Sequence, residues 1–451
     1  MRSQNIQRDL SLVGDDLIKK FILKDSKASK YVNSFFSEEN ILNHSKNKTT
    51  QFKDDQRNIL TEELTKQYSK VETSDATLEN IKLLSNPNTL SVTTGHQLNI
   101  FSGPLMVIYK IAQVISTTNY LNLKIKNFNY VPVFWIASED HDFEEISEVN
   151  LHKNKINWKL DSKNLPVGEI KLNDFKQVKS AYKNSIIDFE YKDKLESIID
   201  DAYKDGETLS TANIKFINSL FAGHGLVIID SNRRVFKKTF LDNFKNEILD
   251  SRCYVDSNSQ ISKIKNDIKS FKPQVNPSDI NFFKITKNGR KRIRKNGKKF
   301  IVDDEDEYTL DEIINQIESY PELFSPNVLM RALYQEKILP NVCYVGGPNE
   351  LKYWMQLKLY FENSSVQFPI LKLRTSAFIL DKKTSIKITK SNIEMKYFFG
   401  KLDDLLDFKI NTSSKLNLSF DSLKTTLTNQ FDELRRVSIK TNESFIGALN
   451  A

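Results

Sequence analysis

Apolar strands that alternate with helices are the feature of this sequence that most restricts its fold. Residues 90–94 alternate at period two and are rich in β-branched side chains, which predicts a strand. A helix over residues 104–121, whose only charge is Lys110, should be buried, and residues 130–136 form a second strand. Further strands are predicted over residues 225–230 and 341–345, and further helices over residues 214–222, 234–249 and 349–361. This order predicts an α/β fold with a mostly parallel, doubly wound sheet.

The length of 451 residues favours more than one compact unit. We expect an N-terminal helical segment over residues 1–88, a core over residues 89–380, and a helical C-terminal region over residues 381–451. Insertions are expected near residues 161–212 and 273–307. In the last region an apolar stripe fits a and d heptad positions and predicts the start of a coiled coil: Phe420, Leu423, Leu427, Leu434 and Val437. Because the chain stops at Ala451, just after a helix-like start over residues 443–448, we expect this region to be truncated.

The net charge of +8 raises the question of nucleic-acid binding. Residues 284–299 hold nine Lys or Arg and no acid, with Asn-Gly pairs at 288–289 and 296–297 that favour type I′ turns. A three-stranded meander over residues 282–285, 290–294 and 300–302 is therefore predicted. We interpret it as a solvated ribbon and expect no nucleic-acid partner.

Cysteine content and hydropathy indicate the compartment. Cys253 and Cys343 are too few for a disulfide framework and lack metal-ligand spacing. The N-terminus has no apolar signal core, and the densest apolar run, residues 131–137, is strand-sized. We therefore expect a cytoplasmic protein without a membrane partner.

Polar residues follow four of the predicted strands, where an open parallel sheet binds its ligands. These segments are residues 94–97 (Thr-Gly-His-Gln), 138–142 (Ser-Glu-Asp-His-Asp), 230–232 (Asp-Ser-Asn) and 346–350 (Gly-Gly-Pro-Asn-Glu). Their convergence is the main indication of function.

Two of these segments predict anion binding. Gly95 lets a phosphate approach the backbone at a strand-to-helix turn, and His96 could donate to an oxyanion, although a structural histidine is the alternative. Gly346 and Gly347 can offer successive N–H groups to an anion. Glu350, beside Asn349 at the next helix start, binds an amine or simply favours the helix dipole.

The Glu139–Asp142 cluster predicts acid–base chemistry. Asp140, His141 and Asp142 could serve as general acid or base, hold an amine, or bind Mg²⁺ or Zn²⁺. The alternative is a helix cap, with Asp142 capping a short helix through Glu144 and Glu145. Asn327 and Arg331 are candidate carboxylate or phosphate ligands, with a cap and a surface ion pair as their alternatives.

Several common motifs are missing from the sequence. It contains no G-x-x-x-x-G-K-[ST], no G-x-G-x-x-G and no G-x-S-x-G pattern, which argues against a P-loop, a dinucleotide fingerprint and a nucleophile elbow.

Taken in order, the motifs resemble the BshC family, the cysteine ligases of bacillithiol synthesis. The matching segments are residues 94–98 with Phe101, residues 103–105, 109–111, 131–135, 137–143, 225–227, 273–277 and 325–331, and residues 344–348 with Glu350, Tyr353 and Trp354. Three features depart from the family pattern: Ser278 stands in place of an arginine, Ala332 in place of a proline, and the coiled coil has no return helix.

The resemblance implies a Rossmann-like core with connecting inserts, a coiled-coil domain and a homodimer. It implies that cysteine is added to glucosaminyl-malate in the last step of bacillithiol synthesis. A nucleotide (ATP or ADP) and Mg²⁺ are the candidate cofactors, and no tightly bound metal is expected. His96, Asp140, His141 and Asp142 are the predicted catalytic residues. The predicted binding residues are Thr94, Gly95, Gln97, Lys110, Asn327, Arg331, Gly346, Gly347, Asn349 and Glu350. The alternative is a metal-dependent hydrolase or nucleotidylyltransferase that uses the Asp/His cluster.

Overall fold

The computed structural model describes residues 10, 13–151, 154–160, 165–303, 306–413 and 420–440. Contacts divide the chain into a compact unit over residues 15–378 and a second unit that takes in residues 1–14 and 379–451. The helix start predicted over residues 443–448 lies outside the described residues. Every helix in the described ranges is too short or too polar to cross a bilayer.

The elements of the 15–378 unit follow one another along the chain. The strands are β1 (Thr89–His96), β2 (Asn129–Ile136), β3 (Glu148–Leu151), β4 (Asn154–Asn157), β5 (Val227–Asp230), β6 (Phe282–Thr286), β7 (Gly289–Asn296), β8 (Lys299–Val302), β9 (Asp306–Tyr308), β10 (Phe324–Pro326), β11 (Asn341–Gly346) and β12 (Ile370–Leu373). The helices are α1 (Asp16–Ile22), α2 (Ser26–Ser29), α3 (Glu38–Gln51), α4 (Asp54–Tyr68), α5 (Asp75–Leu83), α6 (Met106–Lys124), α7 (Phe143–Ile146), α8 (Lys176–Ser185), α9 (Lys192–Ala202), α10 (Leu209–Phe221), α11 (Arg234–Lys238), α12 (Leu241–Asp250), α13 (Arg252–Asp267), α14 (Leu310–Ser319), α15 (Val328–Ile338), α16 (Pro348–Met355) and α17 (Lys358–Asn363).

Five parallel strands form the central sheet, in the order β12-β11-β1-β2-β5. The chain builds outward from β1 through β2 to β5, and later adds β11 and β12 on the other side of β1. The reversal of direction places a crevice beyond the carboxyl ends of β1 and β11, where such sheets bind ligands. The predicted doubly wound α/β fold is confirmed.

The core lies where α3 and α6 cover the central strands. Its buried side chains come from all of these elements, including Ile41, Val92, Val114 and Val345. Each fully buried aliphatic side chain of this kind contributes about 1.5–3 kcal/mol to folding. Helix α6 was expected to be buried all round, but only its inner face is buried; Leu123 on the outer face is 70% exposed. Lys110, its charged residue, lies on the buried face.

A second sheet is antiparallel, in the order β10-β6-β7-β8-β9. The predicted three-stranded meander is therefore the middle of a five-stranded sheet. Both hairpins form, but their two-residue loops are Lys287-Asn288 and Gly297-Lys298, one position away from the predicted Asn-Gly pairs. Gly289 and Gly297 still take the positive φ for which glycine is suited.

The second unit contains α18 (Lys382–Ser391), α19 (Leu402–Ser413) and α20 (Asp421–Ser438). The predicted heptad stripe lies on α20 and its cap, and its members are exposed in the single chain, for example Leu423 at 64%. The coiled-coil assignment stays a prediction.

Arg57 of α4 holds the turn that leads into β1. Its guanidinium is fully buried and donates to the carbonyl oxygens of Leu84, Pro87 and Thr89 at 2.9–3.0 Å. The backbone oxygens of this buried turn therefore obtain partners from one side chain.

We predict that Arg57→Met lowers the free energy of unfolding by about 3–5 kcal/mol, because three carbonyl oxygens lose a charged donor. The measurement is urea denaturation. Lys66→Met, an exposed substitution on the same helix, is the control and should change stability by less than about 0.5 kcal/mol. Equal effects of the two substitutions would contradict the role of Arg57.

Candidate active site

A cavity of about 650 Å³ opens at the carboxyl ends of the central strands. Most of the predicted site residues line it: Gly95, His96, Gln97, Asp140, His141, Asn327, Arg331, Gly347, Asn349 and Glu350. Four predicted residues do not line it: Thr94, Lys110, Asp142 and Gly346. Segments far apart in the chain thus meet around one volume large enough for a small molecule.

A buried ion pair ties the ends of β1 and β11 together. Lys110 Nζ lies 2.8 Å from both carboxylate oxygens of Glu350 and donates to the Gly95 carbonyl oxygen at 2.5 Å. Glu350 in turn accepts from the Gly347 N–H at 2.7 Å and the Tyr344 hydroxyl at 2.8 Å. Burial lowers the pKa of Lys110. Burial alone would raise the pKa of Glu350, but the charge of Lys110 together with the hydrogen bonds from Gly347, Lys110 and Tyr344 lowers it. Lys110 and Glu350 are therefore occupied with each other, and their ion pair connects the two strand ends at the cavity.

The two glycine turns do not form the predicted phosphate sites. Strand β1 continues through His96, because β2 beside it pairs residue by residue as far as Ile136, so no helix N-terminus follows Gly95 directly. The Gly347 N–H is already bonded to Glu350. At Gly346 a Cβ would lie 2.8 Å from Leu351, so this glycine is required for close packing. Thr94 likewise has a structural contact, since its hydroxyl donates to the Val345 carbonyl at 2.7 Å.

Asp140 and His141 form one wall of the cavity together with Arg290 of β7. Arg290 Nη1 lies 3.1 Å from His141 Nδ1 and 3.5 Å from Asp140 Oδ1, and Gln97 donates to Asp140 Oδ2 at 3.1 Å. Burial would raise the pKa of Asp140, but its neighbours together outweigh burial and lower that pKa; they include the charge of Arg290 and the hydrogen bonds from Gln97 and from the His141 backbone N–H. Asp140 is thus held as a carboxylate.

Asp142 takes the capping role that its spacing also allowed. It is exposed, and its carboxylate accepts from the Glu145 N–H at 3.2 Å, which caps the short helix α7. The strand-to-helix turn directs its side chain away from the cavity lining that Asp140 and His141 share. The structure thus places Asp142 in the alternative role, as a helix cap outside the cavity lining.

A second carboxylate of the cavity lining, that of Glu139, is paired with a buried lysine. It pairs with Lys237 of α11, which is fully buried and also donates to the Phe324 carbonyl at 2.8 Å. Ser231, which follows β5 and lines the cavity, lies 3.4 Å from Glu139 Oε1. Lys237 stabilises the buried carboxylate of Glu139, because an unpaired charge at this position would be costly.

Two further guanidinium groups, those of Arg331 and Arg374, line the cavity. Arg331 donates to the Tyr353 hydroxyl at 2.8 Å and lies 3.3 Å from Gln335, both neutral partners. Arg374, after β12, donates to the Thr375 carbonyl oxygen at 3.2 Å. Neither arginine forms an ion pair with a carboxylate in the described ranges. Asn327 also lines the cavity, but its side-chain amide caps α15 and contacts Asn281, so it has little hydrogen-bonding capacity left for a ligand.

Sequence reasoning missed Arg290, Arg374 and Lys237 as residues of the site. It placed Glu139 in the acidic cluster but gave it no role of its own. Arg374 had a usable signal, because the apolar run that becomes β12 ends directly before it. Arg290 had none: it lies within the basic ribbon, and only the packing of the second sheet against the strand ends brings it to the cavity.

Comparison with known proteins agrees with this architecture. Residues 1–375 match the family model described as "Bacillithiol biosynthesis BshC, N-terminal Rossmann-like domain". A Flavobacterium johnsoniae protein named putative cysteine ligase BshC is 36% identical over 96% of this chain and 82% of its own length. Proteins of the same name from Christiangramia forsetii (38%, covering 88% and 74%) and Bacillus mycoides (27%, covering 78% and 67%) are also similar.

The fold and the cavity at its strand ends define a Rossmann-like α/β enzyme of the ligase class. The chain belongs to the BshC family of bacillithiol biosynthesis. The resemblance inferred from the motifs is confirmed.

We predict that Lys110→Met lowers the free energy of unfolding by about 3 kcal/mol or more, because it leaves the Glu350 carboxylate without its cation. The double variant Lys110→Met/Glu350→Gln should lose at least about 1 kcal/mol less than the sum of the single variants. Urea denaturation measures both, with the exposed Lys124→Met on the same helix as control. Additive losses would show that the pair is not coupled.

We also predict a pH-dependent contribution from His96. Burial, followed by the charge of Lys110, lowers its pKa from 6.5 to about 4, so the folded state disfavours the imidazolium. The contribution of neutral His96 to the free energy of unfolding is fully present above pH 6.5. It is lost as the pH falls toward 4. Between pH 7.5 and pH 5 the wild type should lose about 2 kcal/mol more than His96→Gln in urea denaturation. Equal losses in the two proteins would contradict the shift.

Proposed function

We propose that this protein joins the carboxyl group of L-cysteine to the amine of glucosaminyl-malate, the last step of bacillithiol synthesis. The observation that supports it most is the division of charge in the cavity. The cavity is lined by the carboxylates Glu139 and Asp140, here called the acidic wall, and by the guanidinium groups of Arg331 and Arg374, here called the basic wall. The two arginines form no ion pair with a carboxylate in the described ranges, and Glu350, which also lines the cavity, is paired with Lys110. The relatives of this chain are named cysteine ligases. An amine and a carboxylate are the two groups that such walls would hold apart and orient.

The acidic wall suits the amine. Asp140 and Glu139 attract and orient it, and because Arg290 keeps Asp140 ionised, this attraction persists across the neutral pH range. The amine must lose its proton before it attacks, and a neighbouring carboxylate can accept that proton.

The basic wall suits carboxylates. Arg331 and Arg374 present planar donors that match a carboxylate, either of malate or of cysteine. A substrate that carries both an amine and carboxyl groups would therefore span the cavity in one direction.

Amide formation from a free carboxylate needs an activated acyl group, so we propose a nucleoside triphosphate such as ATP, with Mg²⁺, as co-substrate. The Gly347 N–H is taken by Glu350, which makes Arg331 and Arg374 the better candidates for contact with phosphate. A cytoplasmic location and a homodimer formed through the helical C-terminal region complete the proposal.

The metal-dependent hydrolase or nucleotidylyltransferase is not favoured. In the described ranges, no group of three or more His, Cys, Asp or Glu side chains is arranged to hold a metal ion. Asp140 and His141 instead contact Gln97 and Arg290.

The test supplies cysteine, glucosaminyl-malate and ATP, and detects the amide product and AMP or ADP by mass. We predict that Asp140→Asn lowers product formation at least about 100-fold, because the carboxylate that orients the amine is lost. Asp142→Asn is the matched control, since asparagine also caps a helix and Asp142 lies outside the cavity; its turnover should stay near that of the wild type. Folding is checked by circular dichroism. The absence of product with the wild type, or full turnover by Asp140→Asn, would overturn the proposal.

A further inference from the structure

We propose that Arg290 fixes His141 in the tautomer that carries its proton on Nε2, so that His141 serves the cavity as a hydrogen-bond donor and not as a base. This inference rests on the proposed function, and it assigns Arg290 as a positioning residue. The sequence left open whether His141 acts as a general acid, as a base, or as a ligand of an amine or a metal.

The contact between Arg290 and His141 has only one chemical interpretation. Arg290 Nη1 lies 3.1 Å from His141 Nδ1. A guanidinium has donors only and keeps its proton in proteins, so Nδ1 must be the acceptor and cannot itself carry a proton. Asp140 Oδ1 lies 3.5 Å from Nδ1, beyond a good hydrogen bond, and accepts from the His141 backbone N–H at 2.8 Å.

Arg290 has little freedom to turn away from His141. Its Nε donates to the Ser325 hydroxyl at 3.0 Å, its Nη2 donates to the Pro326 carbonyl at 2.6 Å, and its guanidinium lies 4.0 Å from the centre of the Phe283 ring. The side chain is only 8% exposed. Two strands of the second sheet, β6 and β10, therefore hold the donor that faces Nδ1.

A neutral imidazole with an unprotonated Nδ1 carries its proton on Nε2. This nitrogen makes no hydrogen bond with the described residues, and His141 lines the cavity, so the Nε2–H group is open to a ligand. Because Nδ1 is occupied and Nε2 is already protonated, neither nitrogen can accept the amine proton. The ring can donate to a carboxyl oxygen on which negative charge develops.

The step balances with groups already named. The neutral amine attacks the cysteine carboxyl carbon, which a nucleoside triphosphate has activated as an acyl phosphate or acyl adenylate. The C–N bond forms, charge moves to the carboxyl oxygen, and Nε2–H of His141 donates to that oxygen. The bond from carbon to the phosphate oxygen then breaks, phosphate or AMP leaves, and the amine proton passes to Asp140 or Glu139.

The first experiment is nitrogen-resolved NMR of protein labelled with ¹⁵N-histidine at neutral pH. The chain has only five histidines, and the His141 signals are assigned by their loss in His141→Gln. We expect an unprotonated Nδ1 and a protonated Nε2 in the wild type. Arg290→Met, or Arg290→Gln if the former does not fold, should shift this tautomer, because neither side chain is a donor-only cation, whereas Arg292→Met on the same strand should not. A protonated Nδ1 in the wild type would overturn the inference.

The second experiment compares kcat of two variants. Glutamine keeps an N–H group near the position of Nε2 but is not a base, so His141→Gln should lose less than about 10-fold, while His141→Phe should lose at least about 100-fold. Equal losses would identify His141 as a base and overturn the inference. The NMR result requires no substrate, so a failure of the proposed ligation alone would leave the Nε2–H tautomer visible.

Discussion

The pairing of Lys110 with Glu350 is the interaction on which the site depends. The buried ammonium group of Lys110 donates to the carbonyl oxygen of Gly95, near the end of β1. It also binds the carboxylate of Glu350, which caps the helix that follows β11. The strand order reverses between β1 and β11, and at such a switch point a crevice lies beyond the carboxyl ends of the strands. Lys110 reaches from helix α6 to the ends of both strands and holds them together. The cavity beyond the strand ends stays free for a ligand.

The charges of the cavity are supported by cations and donors from outside the central sheet. Lys237 of α11 lies under Glu139, and Arg290 of the second sheet lies beside Asp140. Both cations are buried, and both also bind backbone carbonyl groups, so their positions are set by the fold. Because buried charges are stable only with well-placed partners, the insertion that carries the second sheet forms part of the cavity and is not a surface addition.

Much of the site could be predicted because its residues follow buried strands. His96, Asp140 and Glu350 were found by this rule, and the parallel order of the strands brings them together. Their partners could not be predicted in the same way. Arg290 lies in a stretch where most basic residues are exposed. Only its buried hydrogen bonds to Ser325 and Pro326 distinguish it from them. The partner of the Gly347 N–H could not be predicted either: this group donates to Glu350 in its own helix cap, so it is not available to an anion in this structure.

The sequence by itself determined the alternation of strands and helices, the doubly wound sheet and the family, because hydrophobic periodicity and local motifs depend on neighbours along the chain. The tertiary structure alone decided which polar side chains remain available to a ligand. Lys110 and Asp142 looked like functional residues in the sequence, yet one is bound within an ion pair and the other caps a helix. The cap at Asp142 is a local contact that the spacing already allowed, whereas the Lys110 pair joins residues 240 positions apart, and no local pattern records such a contact.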